Sequence, residues 1–285
     1  MKKVFILSLL LSVFLSGCGE SIFEAGSNKE TAAAKEDTLD FNFITGNCKP
    51  VISHFESIDG TGVKLNTNET VMFLSALLEC GGFSVLNGVS AFGNLESGDM
   101  YSVAAAMAGI GNISTSALQG TTSYYKKASE VCTNKQALSK NSESGSENTY
   151  VDVNIATLCG FNGMIGTTLS LTELIAGVTG LETLTISKQG FQEALTGITD
   201  LNKSADTFFT NNLNYTTELT NILESVTTMP DSVSSILGDT TAMVDEYKSQ
   251  LYDDTGKVSA DKLKVFLSVM QSGTDFDNED NENDI

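Results

Sequence analysis

The sequence has no tryptophan and no arginine, a single histidine and two prolines among 285 residues, and each shortage closes off some chemistry. Without guanidinium groups there is no planar fork to grip phosphate or carboxylate in bidentate fashion, which argues against nucleotide and organic-acid chemistry. The lone histidine, His54 in "VISHFES", has no second imidazole to join it in a metal site or assist it in catalysis, and reads as a surface or cap residue. Positive charge is also scarce. Sixteen lysines face 36 acids, a formal charge of −20, which repels nucleic acid phosphates and anionic lipid head groups, so neither is an expected partner.

Catalytic signatures are missing too. The chain carries no G-x-S-x-G elbow, no H-E-x-x-H, no phosphate loop with lysine and no G-x-G-x-x-G. Two S-x-x-K matches, Ser123 to Lys126 and Ser259 to Lys262, lack the S-D-N and K-T-G that accompany such a serine in enzymes. The acidic tail "DFDNEDNENDI" has Asp280 where a calcium loop turns on glycine, and it ends before a twelfth ligand; "YDDTGKVSADK" would place Lys262 at that position. The first reads as a solvated acidic tail and the second as a turn. No catalytic residue, metal site or cofactor is expected, and the chain is read as a non-enzyme.

What is present begins at the N-terminus. Lys2 and Lys3 precede an apolar run from Val4 to Phe14, too short for a stop-transfer span and suited to the core of a secretory signal. Leu15-Ser16-Gly17-Cys18 follows directly. This tetrapeptide resembles the lipobox of bacterial lipoprotein precursors, a resemblance that covers residues 1–18 alone. It implies cleavage of a signal peptide at 1–17 and lipidation of the Cys18 thiol, which becomes the first mature residue. Each buried methylene contributes about 0.8 kcal/mol and stable anchoring needs about two chains, so a diacylated or triacylated cysteine stays in the membrane. Gly19 lacks the aspartate that retains such proteins at the inner membrane of enteric bacteria, which favours the outer membrane, on its periplasmic or surface face, over the plasma membrane. Loss of residues 1–17, with their two lysines, takes the formal charge from −20 to −22, leaving membrane attachment to the acyl chains.

Four cysteines remain: Cys48, Cys80, Cys132 and Cys159. An even number in an exported chain favours disulfides, and four allow three pairings. Cys48 with Cys80 and Cys132 with Cys159 is the expected pairing, since each closes a moderate loop between neighbouring elements and contributes roughly 3.5 kcal/mol. No C-x-x-C suggests metal instead.

Along the chain, residues 18–45 are small, polar and charged and read as a flexible tether. A helical domain is expected over 46–272. Val71, Leu74, Leu78, Val85, Val89 and Phe92 predict a helix over 68–92, capped at Thr67 or Asn68 and weakened at Gly81 and Gly82. Met100, Val103, Met107 and Ile110 keep the same period, and a third segment runs from Ser114 to Cys132. The polar stretch 135–149 predicts a flexible loop. A glycine-punctuated helix follows from Tyr150 to Val178. From Phe191 through Ala194, Ile198, Leu201, Ala205, Phe208, Asn212, Tyr215, Leu219 and Ile222 to Val226, apolar spacings alternate between three and four, the seam of one long heptad helix. Asn212 is its strongly polar member, either a register-fixing residue or the lining of a ligand cavity. Asp231 caps a helix through Leu251, and Ser259 caps a last helix that presents Leu263, Phe266, Leu267 and Met270. Residues 273–285 form an acidic, disordered tail. No alternating run argues for a sheet. The expected fold is all-α, an irregular bundle of about six to eight helices.

Anchor, tether, long helix and missing catalytic groups together describe a membrane-anchored envelope lipoprotein. Its expected role is non-catalytic: a structural or assembly component that binds another envelope protein. The alternative is a lipid-anchored binding protein that presents a small, apolar ligand to an envelope transporter.

Overall fold

The computed structural model describes residues 47–59, 64–84, 100–140, 152–226 and 247–273. Cys18, the signal and tether segments, residues 141–149, Asp231 and the acidic tail from 274 lie outside these. The fold is all-α with one minor two-stranded sheet. Two compact units divide the chain, the first ending at Cys80 and the second starting at Gly81.

In the first unit, α1 (Cys48–Asp59) and α2 (Thr67–Cys80) pack as a pair. Val51, Ile52 and Phe55 are buried on α1, Phe73, Leu74, Leu77 and Leu78 on α2, and the rings of Phe55 and Phe73 meet at 5.6 Å. The cap of α2 is Asn66, one residue before the expected Thr67 or Asn68. Its side-chain oxygen accepts from Glu69 N–H at 3.0 Å, while the Glu69 carboxylate accepts from Asn66 N–H at 2.7 Å, a reciprocal capping box. A disulfide joins the start of α1 to the end of α2, with Cα atoms 5.6 Å apart at Cys48 and Cys80. The helix expected to continue to Phe92 stops at Cys80. Residues 85–92 lie outside the described residues.

The second unit opens with the reason for that stop. Gly82 has φ +90°, and a Cβ there would sit 2.6 Å from the Ala108 carbonyl oxygen, so both conformation and contact require glycine. Next come α3 (Met100–Met107) and strand β1 (Asn112–Ser114), which leads into α4 (Thr115–Lys140). α4 runs into the stretch expected to be a loop at 135–149. Lysine, glutamine, alanine and leucine are good helix formers, so the polarity of that stretch was no barrier to helix.

The centre of this unit is α5 (Val153–Thr179), with 20 of its 27 residues buried. α4, α3 and three later helices pack around it. Asp152 caps its start by accepting from Asn154 and Ile155 N–H, and Gly180 ends it at φ +69°. The glycines that punctuate this helix permit close approach: a Cβ on Gly166 would lie 3.0 Å from Ile222 and 3.2 Å from Tyr125. Three buried polar side chains find partners beyond their own helix. Asn162 donates to Ser129 at 2.7 Å and to Ser225 at 3.3 Å, Tyr125 donates to the Gly81 carbonyl at 3.1 Å, and Tyr215 donates to the Ser170 carbonyl at 2.6 Å. Strand β2 (Thr183–Thr185) then pairs antiparallel with β1, Ile113 opposite Leu184.

The expected long heptad helix is three helices: α6 (Lys188–Thr196), α7 (Leu201–Asn211) and α8 (Tyr215–Val226). Local capping divides the seam. Ser187 accepts from Gly190 N–H and Asp200 accepts from Lys203 N–H, while the Asn212 carboxamide donates back to the Phe208 carbonyl at 2.8 Å and closes α7. The seam residues Phe191, Leu201, Ala205, Phe208, Tyr215, Leu219 and Ile222 are buried all the same. Splitting the seam takes the helix number past the expected six to eight, to nine bounded helices among the described residues, with a further helical stretch at 247–251. The last, α9 (Ala260–Ser272), is capped by Ser259 and buries Leu263, Phe266, Leu267 and Met270, as expected. Its Gln271 donates to the carbonyls of Leu195 and Ile198 and so closes the end of α6. No described helix is long and apolar enough to cross a membrane.

Cys132 on α4 and Cys159 on α5 form the second disulfide, Cα atoms 5.8 Å apart and both residues buried. The two pairs are those expected. Replacing both members of the second pair, Cys132→Ala with Cys159→Ala, should lower the unfolding free energy by roughly 3.5 kcal/mol. Urea denaturation followed by circular dichroism checks this, and an unchanged midpoint would contradict it.

Candidate functional site

A cleft of about 230 Å³ lies where α4, α5 and α7 meet, and each helix contributes to it in register. Thr115 and Gln119 stand one turn apart on the first turns of α4, and Glu173 and Gly177 stand one turn apart near the end of α5. The last turn of α7 and its cap supply Thr207, Phe208, Asn211 and Asn212.

Gly177 shapes the site. A Cβ there would fall 2.6 Å from Phe208 Cε2, so only glycine lets the ring lie against the helix. The ring is then held edge-on by Tyr215, centroids 5.0 Å apart. The polar lining is partly committed: the Thr115 hydroxyl donates to the Leu181 carbonyl at 2.7 Å, Thr207 donates to the Lys203 carbonyl at 2.9 Å, and Asn212 uses its amide as the α7 cap. Among the described residues, the exposed carboxamides of Gln119 and Asn211 make no hydrogen bond within the chain. Asn212 is therefore on no helical seam; it is a cap whose side chain lines the cleft.

Behind Glu173 lies a three-membered ion cluster. Lys126 Nζ on α4 sits 3.1 Å from Glu173 on α5 and 2.9 Å from Glu218 on α8. The Glu173 side chain is 16% exposed and that of Lys126 25%. Burial pulls the Lys126 pKa down, but the two carboxylates outweigh it and the net shift is upward. Tyr215 is pushed well up, first by burial and then by the charges of Glu173 and Glu218, so its hydroxyl stays a donor to Ser170. The sequence reading missed this cluster, because its three members lie on three helices and no local spacing links them.

The other sequence candidates fall elsewhere. His54 belongs to the first unit, half-buried, its ring against Phe55 at 5.2 Å. Ser123 donates to the Gly120 carbonyl while Lys126 holds its two carboxylates, and Ser259 is a helix cap, so neither S-x-x-K match forms a nucleophile and base. Asp253 holds the "DDTGK" turn by accepting from Thr255 and Lys257. Among the described residues there is no group of three or more His, Cys, Asp or Glu side chains able to hold a metal ion. The four cysteines are consumed by the two disulfides. Cys18 and the acidic tail lie outside the described residues. No protein-family model, curated protein or solved structure matches this chain.

Lys126→Met, which strands the half-buried Glu173, should destabilise the second unit by about 1–2 kcal/mol at neutral pH, less than for a fully buried pair because the cluster is partly solvated. The pH profile carries the sign. A raised folded pKa means the lysine's contribution is complete below its unfolded value of about 10.4 and fades as pH rises through the folded one. Melting curves of the two proteins should therefore differ at pH 7 and converge in strong alkali; a gap that stays constant would assign the effect to packing.

Proposed function

We propose that this chain is a lipid-anchored lipoprotein of a bacterial cell envelope, held at Cys18 in the outer membrane, that acts without catalysis as a structural or assembly component by binding another envelope protein. The observation that carries the reading is the pair of disulfides. Cysteines joined within both units are the habit of proteins that mature in an oxidising compartment, and the only other cysteine of the chain is Cys18, in the Leu15-Ser16-Gly17-Cys18 segment that resembles a lipobox. Export, anchor and disulfides agree with one another. The negative charge makes the acyl chains the sole attraction to an anionic surface, and the braced helices offer a rigid body for a partner to grip.

A second reading, a lipoprotein that presents a small ligand to an envelope transporter, is favoured by one observation: Asn212, the residue singled out for a cavity, lines the cleft on α4, α5 and α7. The lining combines polar side chains with apolar surface from Phe208 and the neighbouring backbone.

Metabolic labelling with radioactive palmitate should mark the wild-type chain and leave Cys18→Ala unlabelled and released from the membrane fraction. Crosslinking in intact membranes, followed by capture of the lipidated chain, should recover one envelope protein in fixed stoichiometry. An unlabelled wild-type chain would remove the anchor, and recovery of the chain alone would remove the assembly role.

A further inference from the structure

We propose that the cleft between α4, α5 and α7 is a binding site for an uncharged polyhydroxylated ligand of monosaccharide size. This deepens the second reading above and rests on it. Charge decides the class first. The cleft presents one carboxylate, Glu173, which shares Lys126 with Glu218, and no lysine lines the cleft. An anionic ligand would meet no unpaired cation, and a cationic one would have to compete with Lys126 for its carboxylate. A neutral ligand meets neither obstacle.

Hydrogen-bond inventory narrows it further. Gln119 and Asn211 each offer a carboxamide with two donors and an acceptor, uncommitted among the described residues. Asn212 spends one amide donor on the Phe208 carbonyl and keeps its side-chain oxygen as an acceptor, and the hydroxyls of Thr115 and Thr207, having donated, still accept. Planar amides that pair donor with acceptor match vicinal hydroxyls, which do the same. Phe208, set on the bare backbone of Gly177, supplies the apolar edge against which a ring's C–H groups can rest. The volume of about 230 Å³ falls below that of drug-sized pockets and admits a single sugar ring.

The test is saturation-transfer NMR on the full lipidated chain in a zwitterionic, sugar-free detergent. The probes are the methyl glycosides of glucose, galactose, mannose and N-acetylglucosamine, with spermidine and succinate as charged controls. Transfer to at least one glycoside is expected, with affinity falling about tenfold in Gln119→Ala/Asn211→Ala, as the loss of two hydrogen bonds implies. Both positions are exposed, so the melting temperature should hold; Gln119→Ala alone serves if the double variant melts early. No transfer to any glycoside, or transfer that the variants leave intact, overturns the proposal. In the first case the controls separate two failures: transfer to a charged probe that the variants abolish leaves a ligand-binding lipoprotein with another ligand class, whereas no transfer to any probe removes that reading as well.

Discussion

The second unit depends on the burial of α5. A helix with 20 of 27 residues out of contact with water cannot be amphipathic in the ordinary sense; it needs neighbours on every side. Small residues make that possible. Gly166 admits Ile222 and Tyr125 at near van der Waals contact, and Gly177 admits a whole phenyl ring. Every larger side chain at these positions would force a neighbouring helix outward, so the spacing of glycines along α5 sets how closely α4, α7 and α8 can approach.

A helix so buried brings polar groups with it, and Asn162 among them is used as a joint. Asn162 ties α5 to α4 through Ser129 and to α8 through Ser225, the kind of three-way contact that penalises any shift of one helix along another. Tyr215 reaches from α8 to the Ser170 carbonyl, and Lys126 draws Glu173 and Glu218 together from the outside. The Cys132–Cys159 bond adds a covalent tie between the same two helices that share Asn162 and Ser129. Packing, hydrogen bonds, charge and a disulfide thus hold one set of helices in one register.

The cleft is a by-product of the same construction. α7 ends at Asn211 because Asn212 turns its side chain back on the Phe208 carbonyl, and a short turn at 212–214 leads into α8. The exposed end of α7 lies beside the last turns of α5, where Glu173 and Gly177 leave the apolar core and meet solvent. Polar groups gather there because three helices reach the surface together, and the rigidity of α5 fixes their spacing.

Much was legible from the residues alone. Four cysteines and moderate loops led to the observed pairs, since a bond between sequence neighbours closes the smallest loops and suits adjacent helices. Ser259 and the four apolar residues behind it describe α9 fully, because capping and a 3.6-residue period are local properties. Asp200 and Ser187 were equally local signals, yet the regular seam from Phe191 to Val226 masked them: an apolar residue every three or four positions describes one long helix and three short ones laid on a common partner equally well. The sequence by itself determined helicity, the cap of α9 and covalent pairing, each governed by residues a turn or a loop apart. Only the tertiary structure decided where the seam is interrupted, which glycine receives Phe208, and that Lys126, Glu173, Glu218, Gln119 and Asn211 come together, because contacts between helices depend on their relative placement and leave no trace in the spacing along any one of them.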